Sequence, residues 1–556
     1  MSKTSAYGAS SGNLSGLTKS LARVAFPGPA SAGMVCLGLA RSRRPLGITR
    51  WPCPREGARM ASLQICSVTA EIAPFSKTGG LGDVAAALPS ALTALGHRVV
   101  TVTPRYRDYP EAWDTGLRLR FPLFGTVHEV RLFHTRTAAH GDIVFVDHPA
   151  ICRGGIYGNE HGAYGDNLFR FALLSRSAIE VARRFHPGGE APLADWGPVR
   201  FLTHDWHAGL LPVYLRAHYQ THGLLRDATS VHVIHNLAHQ GQAGMSSFGG
   251  LDLSGHWAST LEMGGALNCL KGALVSADRI VTVSPTYARE ICTPAFGCGL
   301  DGILRMRRDV VSGILNGIDT TDWNPRVDRH LPENYGPEVF DEPEHQDTRG
   351  PGGGKAACKA ALQSEMGLPV RGDIPVVGFV GRLTGQKGID LLEQVGGWLG
   401  GSGAAQLIIL GTGEHRYEQA LAELSRRWRG RVVARLAFDN GLAHRITAGS
   451  DILVMPSRFE PCGLNQLYAL AYGTVPVVHA TGGLADTVPS FHPGSDSGLG
   501  WAFSPASVDT FRQALGFALQ TWYHHPATFR RMAQRGMAPD RGWGPSAHAY
   551  ARLLGG

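Results

Sequence analysis

Hydrophobic positions change period in a regular way along this chain. Residues 63–69 form a short stretch with Leu63, Ile65, Cys66 and Val68, which reads as a buried strand. A Gly-rich turn follows, and then Val84, Leu88, Leu92 and Leu95 recur at helical spacing, which predicts an amphipathic helix. Gly96 closes that helix, because glycine adopts the left-handed conformation without a Cβ penalty. Residues 98–103 are the next strand. Strand, helix, strand in this order is a βαβ unit, so the sheet is parallel and covered by helices.

The same alternation resumes later, with strands predicted at 375–380, 406–410, 431–436, 451–455 and 475–479 and helical stretches between several of them. Between the two blocks, residues 328–372 are polar and carry Pro and the run Gly352-Gly353-Gly354, so part of that stretch reads as a connection. The expected layout is an α/β protein of two doubly wound, Rossmann-like domains facing across a cleft that holds the active site. Its boundaries are a basic tail at 1–62, a first domain at 63–340, a connection at 341–374 and a second domain at 375–525. A helical segment at 526–556 packs back on the first domain. No repeat of 20–50 residues is evident.

Composition narrows the class. Apolar residues make up 43% and charged residues 18% of 556, the balance of a globular chain rather than a disordered one. No run of eighteen apolar residues occurs, so no membrane span is expected. The formal net charge of +8 invites a nucleic-acid reading, but it is localised. Lys3, Lys19, Arg23, Arg41, Arg43, Arg44, Arg50, Arg55 and Arg59 oppose the single acid Glu56 in residues 1–62, and this segment accounts for all +8. A basic, Ser-rich, acid-poor leader before a neutral body reads as an organelle transit peptide, and nucleic acid drops out as a partner. Nine scattered cysteines without a C-x-x-C pair argue against a disulfide framework and a zinc site, and for a reducing compartment.

Candidate chemistry gathers where strands end. Lys77-Thr78-Gly79-Gly80-Leu81-Gly82-Asp83 joins the first strand to its helix, a place where backbone N–H groups meet anions. The spacing is not G-x-G-x-x-G, and the next strand ends in Thr103-Pro104-Arg105 with no acid for a ribose, so a dinucleotide fold is not indicated. His204-Asp205-Trp206-His207 follows a strand at 199–203, and the strand at 231–236 ends in His235-Asn236. Strand residues three apart face opposite sides, so His232 and His235 cannot share one metal ion, and His232 reads as a packed core histidine.

In the second block, Gly381-Arg382-Leu383-Thr384-Gly385-Gln386-Lys387-Gly388 places two cations beside a helix start, a setting for a diphosphate. Ser457-Arg458-Phe459-Glu460-Pro461-Cys462-Gly463-Leu464 offers an acid that could hold a sugar hydroxyl or balance charge at an anomeric carbon. Cys462 is a candidate thiol nucleophile, although no base is evident beside it. Thr481-Gly482-Gly483-Leu484 reads as a second backbone anion site.

The ordered set K-T-G-G-L-G-D, H-D-W-H-A-G-L, H-N-L-A-H-Q-G, V-S-P-T-Y-A-R-E, L-N-G-I-D, G-R-L-T-x-Q-K-G, S-R-F-E-P-C-G-L and T-G-G-L-A-D-T-V resembles the starch and bacterial glycogen synthase family, over about residues 63–554. Phe145-Val146-Asp147-His148-Pro149 and Tyr164-Gly165-Asp166-Asn167 look most like soluble class I of plants and green algae, and the opening stretch looks as much like class II.

The resemblance implies a GT-B fold and a metal-independent retaining glucosyltransferase with no cofactor. ADP-glucose is then the donor, and an α-1,4-glucan such as amylopectin or amylose the acceptor. By that resemblance Lys77 lies near the donor diphosphate, with Gly79 and Gly80. Asp205 is the active-site aspartate, and His235, with Asn236, meets the sugar. Arg382 and Lys387 hold the phosphates, and Glu460 is the essential glutamate. Phe438 stacks on adenine, and Cys462, Gly463, Leu464, Thr481, Gly482 and Gly483 complete the donor site. It further implies a plastid location, and it leaves open granule-bound versus soluble behaviour and complexes with other starch enzymes. The rivals are a non-catalytic glucan-binding relative and a retaining transferase with another donor.

Overall fold

The computed structural model describes residues 61–138, 140–341 and 352–555, and nearly all of the expected transit segment lies outside them. The first sheet has nine strands: β1 (Gln64–Val68), β2 (Arg98–Pro104), β3 (Trp113–Leu123), β4 (Thr126–Thr137), β5 (Gly141–Asp147), β6 (Val199–His204), β7 (Thr229–Ile234), β8 (Arg279–Thr282) and β9 (Val311–Gly313). Their order across the sheet is β9-β8-β7-β6-β1-β2-β5-β4-β3. β1 lies parallel to β2, Gln64 opposite Arg98, and parallel to β6, Gln64 opposite Val199. The chain moves outward from β1 on one side and returns to its other side at β6. The gap between the C-terminal ends of β1 and β6 is therefore a topological switch point, where loops diverge and leave a crevice.

All five residues of β1 are buried, as a central parallel strand requires. The helix Gly80–Ala94 covers it with Val84, Leu88 and Leu92, each at most 1% exposed. β3 and β4 form an antiparallel extension that the parallel pattern did not foretell. One face of this ribbon is wet. Leu119, Phe121 and Leu123 point into the core, while Arg120 pairs across the strands with Glu129 at 2.8 Å.

The second sheet has six parallel strands: β10 (Val376–Val380), β11 (Gln406–Leu410), β12 (Val432–Arg435), β13 (Ile452–Met455), β14 (Val475–His479) and β15 (Trp501–Phe503). Their order is β12-β11-β10-β13-β14-β15. The reversal falls between β10 and β13, so a second switch point lies there.

Two expectations about the connections are corrected. The stretch 341–374 is more than a connection, because Gly353–Glu365 is a helix of the second lobe. Its buried Lys355 ammonium donates to Ala448 O (2.9 Å), Tyr472 O (3.0 Å) and Thr474 Oγ1 (2.8 Å), and burial pushes its pKa down to about 8. Lys359 pairs with buried Asp451 at 2.8 Å. The chain in fact reaches the second lobe earlier: Trp323 is sandwiched between the rings of His444 and Tyr468, each 3.7 Å away.

The return is correspondingly later than residue 526. The helix Pro526–Met537 stays on the second core through Phe529, Met532 and Ala533. Only Gly544–Gly555 docks on the first lobe, where Ala547, Tyr550, Ala551 and Leu554 join Ile65, Val84 and Leu88. Outgoing and returning chains touch where Ile318 N donates to Arg541 O at 2.8 Å.

Tyr550 is fully buried in the first-lobe core. Tyr550→Ala is expected to cost about 3–5 kcal/mol, as truncation of other buried aromatics does, read as a lowered urea midpoint. An unchanged midpoint would contradict docking of the last helix.

Candidate active site

Glu71 sits just past β1 and is 3% exposed. Its carboxylate accepts Thr78 N (2.6 Å), Thr78 Oγ1 (2.7 Å), Gly79 N (3.2 Å) and the Tyr157 hydroxyl (2.5 Å). The backbone donors at Thr78 and Gly79, read from sequence as open to a ligand anion, are thus filled by the chain's own carboxylate. Glu71 stiffens the Gly-rich loop. Its only sequence signal is an acid inside the small, apolar stretch Ala70–Ala73. Lys77 pairs with Asp83 at 2.7 Å, with both side chains exposed. Gly80 opens the helix, and a Cβ placed there would lie 3.7 Å from Leu464 Cδ1, so the two lobes meet at this point.

The ends of β6 and β7 are joined by Asp205. This residue adopts φ 53°, a left-handed backbone that a non-glycine residue holds only under constraint. Asp205 N donates to Val233 O at 2.9 Å, while Oδ1 accepts His235 N (2.8 Å) and Asn236 N (3.4 Å). The aspartate is therefore a bracket for the His235–Asn236 turn. Burial pushes its carboxyl up to about 7, against the lowering effect of the two N–H donors.

Behind His235 stands fully buried His204, unassigned by sequence. His204 Nδ1 and His235 Nε2 are 2.9 Å apart, and His204 Nε2 lies 3.4 Å from Ser67 Oγ. Burial lowers His235 to about 4 and His204 far below its usual range, so both rings are neutral at pH 7 and share one proton position between them. His232 lies in the core, its Nδ1 2.9 Å from Thr203 Oγ1.

The second switch point gathers the charges. Gly381–Gly388 follows β10 and the Glu460 loop follows β13. Lys387 Nζ donates to Glu460 Oε2 at 2.5 Å, and Ser457 Oγ to the same oxygen at 2.9 Å. Arg382 is exposed and makes a long 3.4 Å contact with Gln386, and burial, with the Arg382 charge second, lowers His239 on the facing lobe. The Phe438 ring is 92% exposed, just before the Asp439 cap of the helix Asn440–Gly449.

Cys462 is buried in the first-lobe cluster, and burial pushes its thiol up to about 12, which leaves no thiolate for a nucleophile. Gly463 has φ +71°, and Leu464 packs on the same cluster.

Thr481, Gly482 and Gly483 hold the Glu460 loop from beneath. A Cβ on Gly482 would fall 2.0 Å from Glu460 O, and one on Gly483 2.0 Å from Cys462 O. Gly483 N donates to Glu460 O and Pro461 O, each at 3.1 Å. The anion position expected at Thr481–Gly482 is occupied: Glu290 of the first lobe accepts Thr481 Oγ1 (3.0 Å) and Gly482 N (3.1 Å). Asp486 answers by accepting Thr286 N (2.8 Å) and Thr286 Oγ1 (2.7 Å). This reciprocal latch joins the lobes beside the cleft; both carboxylates lie in motifs of the ordered set, but the sequence alone assigns neither a role.

Two doubly wound lobes with polar loops at both switch points, Lys77 on one side and Arg382 and Lys387 on the other, define a glycosyltransferase of GT-B type. The chain belongs to the starch synthase family. Residues 64–306 match the starch synthase catalytic domain, and residues 374–521 match glycosyl transferases group 1. It is 44% identical over 514 residues to starch synthase 1, chloroplastic/amyloplastic, of Triticum aestivum, covering 88% of this chain and 77% of that one. Its counterpart in Arabidopsis thaliana is 42% identical over 516 residues, covering 88% and 76%. The catalytic domain of starch synthase IV from Arabidopsis thaliana, bound to ADP and acarbose, superposes with TM-score 0.76 at 28% identity, over 89% of this chain and 99% of that domain. Sucrose-phosphate synthase from Thermosynechococcus elongatus shares the fold, at TM-score 0.53 and 17% identity over 88% of this chain and 97% of that one.

The bracket role of Asp205 separates two substitutions. Asp205→Asn keeps a carbonyl oxygen for both N–H groups and retains most of the transfer rate. Asp205→Ala frees the His235 turn and lowers kcat about a hundredfold, the cost of a misplaced group. Equal loss in both variants would assign the role to charge instead.

The same residues set an acid response. Histidines His232 and His235, held neutral down to about 3 and about 4, bind fewer protons than in the unfolded chain below pH 6.5. Their contribution to stability is lost as pH falls from 6.5 toward 4. Asp205, raised to about 7, opposes that loss between its unfolded value and pH 7. Melting followed from pH 7 to pH 4 should therefore fall more steeply for Asp205→Asn than for the wild type, and a parallel course would contradict these protonation states.

Proposed function

We propose that the chain is an ADP-glucose:α-1,4-glucan 4-α-D-glucosyltransferase of the plastid, which extends the non-reducing end of amylopectin or amylose with retention of configuration. The observation that carries the reading is the Lys387–Glu460 pair at the second switch point, with exposed Arg382 on the same loop. Support comes also from the plant relatives named chloroplastic/amyloplastic starch synthases and from the related domain solved with ADP and acarbose. Among the described residues no helix is long and apolar enough to cross a membrane.

Breaking the anomeric C–O bond leaves negative charge on the departing ADP and positive charge on the sugar. Arg382 meets two phosphate oxygens as a planar fork, and Lys387 acts as a point charge. With Lys387 drawn toward phosphate, the Glu460 carboxylate keeps the Ser457 hydroxyl and is left to balance the sugar's cationic charge. Neutral His235 orients a sugar hydroxyl without a competing charge. The acceptor hydroxyl attacks from the face the ADP leaves, its oxygen forms the new glycosidic bond, and its proton ends on the ADP oxygen. Closing the lobes keeps water from the donor.

Glucose incorporation into glycogen or amylopectin from ADP-glucose, with UDP-glucose as the comparison donor, tests this. ADP-glucose-dependent elongation that Glu460→Ala abolishes is expected. Lys387→Ala is expected to cost about 2–4 kcal/mol of transition-state stabilisation, as loss of other oxyanion donors does. No transfer from either donor by folded protein would overturn the proposal, and an unchanged Lys387→Ala rate would remove that residue from the diphosphate site.

A further inference from the structure

Three side chains stand in line across the ends of adjacent strands at the first switch point: Ser67 on β1, His204 at the end of β6 and His235 just past β7. Ser67 and His204 are fully buried, while His235 is half-buried. Ser67 Oγ lies 3.4 Å from His204 Nε2, and His204 Nδ1 lies 2.9 Å from His235 Nε2. Among the described residues these side chains have no other hydrogen-bond partner. The remaining ring nitrogen, His235 Nδ1, is not sealed in the core.

A neutral imidazole carries one proton, and the partner of one nitrogen decides whether the other holds it. Burial keeps both rings neutral at pH 7, with His235 lowered to about 4. The line can then be protonated in two directions. In the first, the Ser67 hydroxyl donates to His204 Nε2, His204 Nδ1–H donates to His235 Nε2, and His235 carries its proton on Nδ1. In the second every bond is reversed, and the Ser67 hydroxyl hydrogen is left in a sealed site without an acceptor. A buried donor without a partner costs the full desolvation of that group, whereas a spare lone pair is better tolerated. The first direction is therefore the stable one, and it turns an N–H outward at His235.

We propose that His204 is a positioning residue for sugar transfer: its Nδ1–H holds the His235 ring in the orientation and tautomer that present an N–H donor to a hydroxyl of the bound sugar. The proposal rests on the glucan-transfer reading above and refines it. Asp205 fixes the backbone of the His235 turn and His204 fixes its ring, so neighbouring residues of one motif place main chain and side chain separately. The hydroxyl that meets His235 accepts there and keeps its own proton for another partner.

Imidazole nitrogen NMR spectra of the full chain, isotope-labelled at histidine, read the tautomer, with signals assigned by substituting each ring in turn. The proton of His235 is expected on Nδ1, and a proton on Nε2 in the wild type would overturn the proposal. Transfer from ADP-glucose to glycogen is the second readout. His204→Asn offers an amide N–H in place of Nδ1–H and should retain most of kcat. His204→Leu fills the space but donates nothing, and should lower kcat about 10–100-fold, as loss of the partners that orient metal-bound histidines does. A ring that only filled space would give the opposite order, because Leu replaces apolar packing better than Asn. That opposite order, or equal rates in the two variants, would overturn the proposal. If the wild type transfers no glucose, the functional reading fails, and the spectrum alone decides whether His204 sets the ring: Nδ1–H supports it and Nε2–H contradicts it.

Discussion

The ion pair between Lys387 and Glu460 exists because the second sheet reverses its strand order between β10 and β13. Two loops that leave neighbouring parallel strands in opposite directions bring a lysine and a glutamate 73 positions apart to 2.5 Å. The first sheet does the same between β1 and β6, where the Gly-rich loop and the His204–Asp205 turn face each other. Each lobe thus builds half a site from one topological rule, and the chain's double crossing near Ile318 and Arg541 holds the halves to one another.

Carboxylates do much of the positioning. Glu71, Asp205 and Glu290 each aim at backbone N–H groups of a loop that borders the cleft, and each satisfies donors that would otherwise be free. The loops are therefore stiff before any ligand arrives, which is the condition for electrostatic stabilisation without reorganisation. The glycines of the Thr481–Gly483 turn serve the same end through close approach. No Cβ fits between them and the Glu460 loop, so the height of that loop in the cleft is set by backbone contact.

Much of this was legible in the chain, and the reason is local. Parallel strands such as β1 and β11 are short apolar runs, and their ends are marked by glycine and by polar clusters. The residues at those ends, Lys387 and Glu460 among them, stand out by position, and their expected roles come from the family resemblance. What escaped notice depends on contacts between distant segments. β3 is the exception: it alternates polar and apolar residues over Leu117-Arg118-Leu119-Arg120-Phe121-Pro122-Leu123, a signal of an antiparallel strand with one wet face that a reading for parallel βαβ units passes over. The helix Gly353–Glu365 begins in a glycine run that resembles a linker, and the buried contacts of Lys355, Lys359 and Gln363 tie it to the second lobe. Glu290 and Asp486 sit inside motifs of the ordered set, but their role shows only when the fold brings the opposite lobe against them. His204 is one residue from Asp205 in sequence, but its role comes from the ring of His235, 31 positions on.

The central claim is that the second switch point is a diphosphate site whose two cations act together. Calorimetric titration of the folded chain with ADP tests it most directly, in the wild type and in Arg382→Ala/Lys387→Ala. The account predicts binding that weakens as salt rises and that the double substitution abolishes, with the fold intact. Equal ADP affinity in both proteins would contradict it.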